Sequence, residues 1–269
     1  RIDLIKNLLP VYMEILKKLD GLHVEYVQFD EPFLAMDLTE KEQNAFTYVY
    51  GEIKKAFPSL KVILANYFDC FGENLEIALS LPVHTLHLDL VRCPSQLDDI
   101  LDSGKLKANV KLSLGLVDGR NIWKNDFQNS LLLINNAIEK IGADRVWIAP
   151  SCSLIHSPCD LDLEEDTESL PTDVKQWLAF AKQKIKEVVV LKRLAEKDAS
   201  KEILEVLEQN QQEVGNRKTS SLIHDEQVKN RLKSVNKGDD ERKNTFSVRQ
   251  SLQKVALNLP LVLFHRPQK

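Results

Sequence analysis

Chemically able side chains recur in this 269-residue chain at the ends of short apolar runs. Asp30 and Glu31 follow Val24 to Phe29, and Asp89 lies in Thr85 to Val91, alternating with His87. Asp118-Gly119-Arg120-Asn121 follows Lys111 to Val117, and Ser151, Cys152 and His156 follow Arg145 to Pro150. Where strands and helices alternate, chemistry collects at the carboxyl ends of strands, so Asp30, Glu31, Asp89, Asp118, Asn121, Ser151 and His156 are candidate pocket residues. Paired carboxylates such as Asp30 and Glu31 suit general acid–base work or the holding of an ammonium group. They equally suit capping the next helix or pairing with a lysine, and Pro32 imposes extended backbone just before it. Asp89 needs a partner if it faces inward, which a purely structural ion pair would also supply. The Asp118 turn can hydrogen-bond a ligand or lock one loop against another. Cys152 reads as a nucleophile or as a small buried hydrophobe. The histidines and cysteines form no local metal signature such as His-Glu-x-x-His.

The elements that would position these residues alternate regularly. Residues 2–19 have apolar spacing of three and four and read as one amphipathic helix or two, with Pro10 starting a fresh turn. Strands are predicted over Val24–Phe29, Lys61–Phe68, Thr85–Val91, Lys111–Val117 and Arg145–Pro150. Helices are predicted over Leu38–Phe57, Asn74–Leu81, Leu97–Leu106 and Asn125–Ile141, the last capped by Gly142. A further long apolar helix starts at Thr172 and runs through Leu194 as the closing helix. Residues 201–236 are highly charged, 237–242 read as a solvated loop, and Phe246–Leu257 as a final helix.

Repeated strand–helix units imply parallel strands joined by right-handed crossovers, and strands rich in Val, Ile and Leu suggest that both faces are covered. No strand is followed by Gly-x-Gly-x-x-Gly or a Walker lysine, which favours a barrel over a doubly wound sheet. The predicted fold is therefore α/β, of (β/α)8 TIM-barrel type, but with about five carboxyl-terminal units where eight are required, followed by a helical extension. Two open sheet edges predict poor stability in isolation. The chain starts at Arg1 without a methionine, which suggests that a preceding segment has been removed.

Net charge is −4 with a pI near 5.9, which gives no general attraction to nucleic acid or an anionic membrane. No apolar run reaches the length of a membrane span, and the amino terminus does not read as a signal peptide. Cys70, Cys93, Cys152 and Cys159 lie in no Cys-x-x-Cys pair, so reduced thiols and a cytoplasmic location are expected.

Several motifs in fixed order then become familiar. They are Val-Gln-Phe-Asp-Glu-Pro (27–32), Leu-Pro-Val-His-Thr-Leu-His-Leu-Asp-Leu-Val (81–91), Gly-Leu-Val-Asp-Gly-Arg-Asn-Ile-Trp (115–123), Ser-Cys-Ser-Leu-Ile-His-Ser (151–157) and Lys-Gln-Trp-Leu-Ala-Phe-Ala-Lys-Gln-Lys (175–184). Together they resemble the amino-terminal barrel of cobalamin-independent methionine synthase, over nearly the whole chain to about Pro260. That resemblance implies a two-barrel enzyme moving a methyl group from polyglutamylated 5-methyltetrahydrofolate to the zinc-bound thiolate of homocysteine. It places zinc and homocysteine in the second barrel, so this chain is expected to hold no catalytic residue, metal or cofactor of its own.

The resemblance also implies boundaries. Residues 1–196 form the carboxyl-terminal part of the first barrel, 197–260 a charged helical extension and inter-barrel linker, and 261–269 a divergent tail lacking the expected Thr-Thr-Ile-Gly-Ser-Phe-Pro. Laid over the zinc ligands of the sister barrel, the chain offers Tyr67, Asp69, Asp89 and Cys152, a set with Tyr67 out of character, and hence a retired metal site. The expected function is support of the folate cleft and bracing of the missing catalytic barrel, the chain being inactive alone. The alternatives are a free-standing noncatalytic binding or scaffold protein derived from that barrel, and an independent enzyme using Asp30, Glu31 and Asp89.

Overall fold

Five short, predominantly apolar runs are present, and in the structure, a computed structural model that describes residues 2–166 and 168–257, each is a strand. They are β1 (Tyr26–Asp30), β2 (Lys61–Asn66), β3 (Thr85–Asp89), β4 (Lys111–Val117) and β5 (Val146–Pro150). All are parallel, in the order β1-β2-β3-β4-β5, with Asp30 beside Ala65, Asn66 beside Leu88 and Asp89 beside Gly115. α1 (Ile5–Gly21) precedes β1, and α2 (Glu40–Ala56), α3 (Leu75–Ser80), α4 (Gln96–Asp102) and α5 (Phe127–Ile141) connect consecutive strands. α6 (Thr172–Lys175), α7 (Ala181–Leu194) and α8 (Lys201–Thr219) follow β5. This is an incomplete (β/α)8 barrel with carboxyl-terminal helices.

The chain forms two compact units, residues 1–218 and 219–269. The second holds α9 (Glu226–Lys233) and α10 (Phe246–Leu257) among its described residues. The Asp225 carboxylate caps α9 by accepting the N–H groups of Gln227 and Val228. Residues 258–269, which include the divergent tail, lie outside the described residues. Among the described residues, no helix is long and apolar enough to cross a membrane.

Period-two alternation sorts the strand side chains onto two faces. Leu64, Leu86, Leu88, Leu112 and Leu114 are buried in a core that also takes Leu16 of α1, Ile53 of α2, Ile134 of α5 and Leu191 of α7. Each such side chain contributes about 1.5–3 kcal/mol on burial. The other face is polar: Gln28, Asp30, His87 and Ser113 share it with Ile63 and Trp147 and line one concave pocket. Tyr26 of β1 and Trp147 of β5 meet edge to face across it, their ring centroids 5.2 Å apart. The sheet is therefore curved enough for its two outermost strands to touch through side chains.

Three expectations are corrected. The helix predicted from Thr172 is broken: Trp177, Leu178, Ala179 and Phe180 are all buried, which one helix face cannot achieve for four consecutive residues. They run instead beside Ile122–Lys124, with Trp123 bridging Leu178 antiparallel, the Lys124 N–H donating to Trp177 O at 2.8 Å and the Ala179 N–H to Ile122 O at 2.8 Å. Pro10 starts no fresh turn and lies within α1, where it removes a single helical donor while Leu9 and Leu16 hold the buried face. The thiols are not all free. Cys70 and Cys93 form a disulfide with Cα atoms 5.4 Å apart, because the adjacent strands β2 and β3 deliver their loops side by side; Cys152 and Cys159 are free.

At Gly115 neighbouring backbone leaves no room for a side chain. A Cβ there would sit 2.6 Å from the Leu88 carbonyl oxygen and 2.8 Å from Ser151 Cα, both backbone atoms. Gly115→Ala is expected to cost about 2 kcal/mol or more, read from the denaturation midpoint; a loss below about 0.5 kcal/mol would contradict this packing.

Beneath the loop after β4, Glu187 of α7 accepts the Asn125 N–H at 3.0 Å, while its second oxygen is buried without a hydrogen-bond partner. Burial raises its pKa to about 7, against the opposing pull of the Asn125 hydrogen bond, Lys184 and Lys124. The folded chain thus keeps a proton that the unfolded chain loses near the ordinary glutamate value. Stability should be greatest below that value and fall, by roughly 3 kcal/mol at most, as pH rises to about 7. Glu187→Gln should remove this fall, so the variant gains on the parent between pH 5 and 8; parallel stability profiles would disprove it.

Candidate functional site

At the carboxyl ends of the strands, the polar face of the sheet opens into a pocket of about 650 Å³. Asp30, Tyr67, His87, Ser113, Cys152 and Trp147 are among its lining residues. Asp30, the last residue of β1, is held from two sides: Gln28 Nε2 donates to Oδ1 at 2.7 Å and the Tyr67 hydroxyl to Oδ2 at 2.6 Å. That hydrogen bond, ahead of burial, pushes the Tyr67 phenol up to about 12.

His87 faces the same pocket from β3. Its Nε2 lies 3.1 Å from the Ser151 carbonyl oxygen, which can only accept, so the proton sits on Nε2 and Nδ1 accepts from the Ser113 hydroxyl at 3.0 Å. Burial lowers the His87 pKa, which keeps the ring neutral.

Asp89 is fully buried at the end of β3. Its Oδ1 accepts the N–H groups of Val91 at 3.2 Å and Arg92 at 3.0 Å, and its Oδ2 receives Arg120 Nη1 at 2.8 Å. The other terminal nitrogen of Arg120 donates to the Tyr67 carbonyl. One guanidinium thus ties the ends of β2 and β3 to the loop after β4. That loop is itself fixed: Asp118 accepts the Arg120 N–H at 2.8 Å and the Asn121 side chain at 2.5 Å, and Asn121 accepts the Trp123 N–H at 3.0 Å. The buried Ser151 hydroxyl accepts the Gly119 N–H at 3.2 Å, which joins the loops after β4 and β5.

Asp30, Tyr67, Asp89, Asp118, Asn121 and Ser151 therefore belong to one linked hydrogen-bonded rim, with Cys152 on the pocket wall. Burial raises the Cys152 pKa while Arg120 lowers it. Glu31 is separated from its neighbour Asp30, since its Oε1 accepts from the Tyr50 hydroxyl of α2 at 2.6 Å. Burial raises the Glu31 pKa, and Asp30 adds to it. His156 is exposed on a short turn, and the exposed Asp69 folds back onto the Cys70 N–H at 2.8 Å. Arg120, His87, Ser113 and Gln28 also hold this site, although sequence reasoning did not select them. Same-face neighbours two residues from Asp30 and Asp89, and a search for the cation that Asp89 requires, would have found three of them.

The donor set does not fit a metal. Both Asp89 oxygens are engaged, Tyr67 is held by Asp30, and Asp69 points elsewhere. Among the described residues, no group of three or more His, Cys, Asp or Glu could hold a metal ion.

The curved parallel sheet and its strand-end pocket define a partial (β/α) barrel. Residues 1–142 match the family described as cobalamin-independent synthase, N-terminal domain, and the chain belongs to that family. It is 61% identical over 261 residues to a 5-methyltetrahydropteroyltriglutamate–homocysteine methyltransferase of Flavobacterium johnsoniae, covering 97% of this chain and 34% of that protein. Proteins of the same description from Cytophaga hutchinsonii and Coxiella burnetii are 51% and 44% identical, over 97% and 96% of this chain and 34% and 32% of their own. The chain thus spans about a third of the length of these relatives.

Arg120→Met should leave Asp89 buried without its cation and cost about 3 kcal/mol or more. Asp89→Asn in the same chain should recover part of that loss, since no bare charge then remains. Equal stability of Arg120→Met and the parent, measured by chemical denaturation, would show that the pair does not hold the rim.

Proposed function

We propose that this chain is the noncatalytic, carboxyl-terminal part of the first barrel of a methyltransferase. The whole enzyme would transfer a methyl group from 5-methyltetrahydrofolate polyglutamate to homocysteine, giving methionine. The observation that carries the reading is the 61% identity along 97% of the chain to a relative described as that methyltransferase and about three times longer. On this reading residues 1–196 build the barrel wall, 197–260 extend towards the remaining polypeptide, and the rim supports the folate cleft and braces the catalytic barrel. Zinc and homocysteine would bind in the second barrel, in a cytoplasmic enzyme.

The chemistry of the rim supports a supporting role. Its carboxylates are already engaged: Asp89 by Arg120, and Asp30 by the neutral Tyr67 hydroxyl and the Gln28 amide. His87 is neutral and doubly bonded, so the rim offers no acid–base pair poised for turnover. At the place where the sister barrel would hold a metal, we assign the fixed positive charge of Arg120, beside Asp89, the Tyr67 carbonyl and Cys152. The site is thus a retired one whose cation has become a side chain.

The reading is tested with homocysteine and 5-methyltetrahydrofolate triglutamate as substrates. The complete polypeptide should form methionine and the 269-residue chain alone should not. Turnover by the chain alone would overturn the proposal, and tight folate binding by it without turnover would favour a free-standing binding protein.

A further inference from the structure

We propose that Cys70 and Cys93 form a reversible thiol–disulfide clasp on the rim of the strand-end pocket. Cys70 lies in the loop after β2 and is half-buried, whereas Cys93 lies in the turn after β3 and is buried. Their Cα atoms are 5.4 Å apart, within the range that a disulfide spans without moving the backbone. Arg120 straddles the same two strand ends, since it holds the Tyr67 carbonyl just after β2 and the Asp89 carboxylate at the end of β3. The covalent bond therefore acts on the same junction as the buried ion pair, and independently of what the pocket binds.

Reversibility follows from what else holds the loops. The Phe71 N–H donates to Gln96 Oε1 at 2.7 Å, crossing between them beside the disulfide. The Cys93 N–H donates to the Asp89 carbonyl at 3.1 Å, and Asn66 Nδ2 to the Asp69 carbonyl at 3.1 Å. With the sulfur–sulfur bond cut, each loop keeps these anchors, so both redox states share one fold. Cys70, the less buried of the two residues, is assigned as the point of attack for a small thiol or disulfide, with the buried Cys93 as its resolving partner.

The exchange balances with glutathione disulfide as oxidant. The Cys70 thiolate attacks one of its sulfurs, forming a mixed disulfide and releasing one glutathione thiolate. The Cys93 thiolate then attacks the Cys70 sulfur, closing the protein disulfide and releasing the second glutathione. Two electrons pass from the protein to glutathione, two protons leave the cysteines, and the reverse sequence reduces the clasp.

The test uses the complete polypeptide equilibrated in buffers of varied glutathione to glutathione disulfide ratio. Remaining thiols are alkylated, and digested peptides are analysed by mass spectrometry. The peptide linking Cys70 to Cys93 should appear and disappear across these ratios while the circular dichroism spectrum stays native. Hydrogen exchange over residues 67–75 and 90–96 should be slower, by about fivefold or more, in the oxidised form. Cys70→Ser and Cys93→Ser should each abolish both the linked peptide and the exchange difference. Full alkylation of both cysteines at every ratio, a bond reduced only after unfolding, or identical exchange in the two forms would each overturn the proposal.

Discussion

Asp89 carries its charge where water does not reach, and the carboxyl end of the sheet is organised around that fact. A carboxylate in such a place requires several hydrogen bonds and a cation, and no single element can supply them. Two come from the turn that follows its own strand; the third comes from Arg120, 31 residues on, in the loop after the neighbouring strand. To reach Asp89, that loop must be rigid, which Asp118 and Asn121 ensure, and it must lie close to the next loop, which Ser151 and the bare α-carbon of Gly119 allow. Because the same guanidinium also takes the Tyr67 carbonyl, the satisfaction of one buried charge aligns four consecutive strand ends.

The polar face of the sheet follows a related logic. His87 and Ser113 are buried and would be expensive to leave unpaired, but the parallel register sets them side by side, where the Ser113 hydroxyl meets the imidazole; Gln28 and Asp30, two residues apart on β1 and exposed, bond to each other. The edge-to-face contact of Tyr26 with Trp147 shows how tightly the five strands curl over this face. A polar lining of this kind suits the interior of a barrel that is wet at its mouth, with the apolar core displaced to the layer between sheet and helices.

Much of this was legible in the residues. Short apolar runs between helical patterns located all five strands, β4 to the residue, and Gly142 marks the end of α5 because its φ of +87° suits glycine. The strand-end rule selected Asp30, Asp89, Asp118 and Ser151. What it could not show was pairing at a distance: Asp89 with Arg120 and Cys70 with Cys93 depend on which strand ends and loops the sheet sets side by side, and Glu31 with Tyr50 on how α2 packs back over the end of β1. The break between α6 and α7 was hidden for another reason, since a buried extended run and an apolar helix present the same composition over a few residues.

That break bears on how the chain is assembled. The segment 177–180 is fixed by backbone bonds to residues 122–124, a closure across more than fifty intervening residues that include all of α5 and β5. Neither partner has a regular element of its own, so the junction is a long loop closure whose entropic cost must be met by the packing of the loop beyond β4 and of residues 177–180. Residues 181–194 are then delivered onto the sheet already oriented, with Lys184 Nζ reaching the Trp123 carbonyl at 3.0 Å. The docking of α7 thus depends on the loop beyond β4 as much as on its own apolar face, and damage to residues 122–124 would loosen a helix that begins nearly sixty residues away.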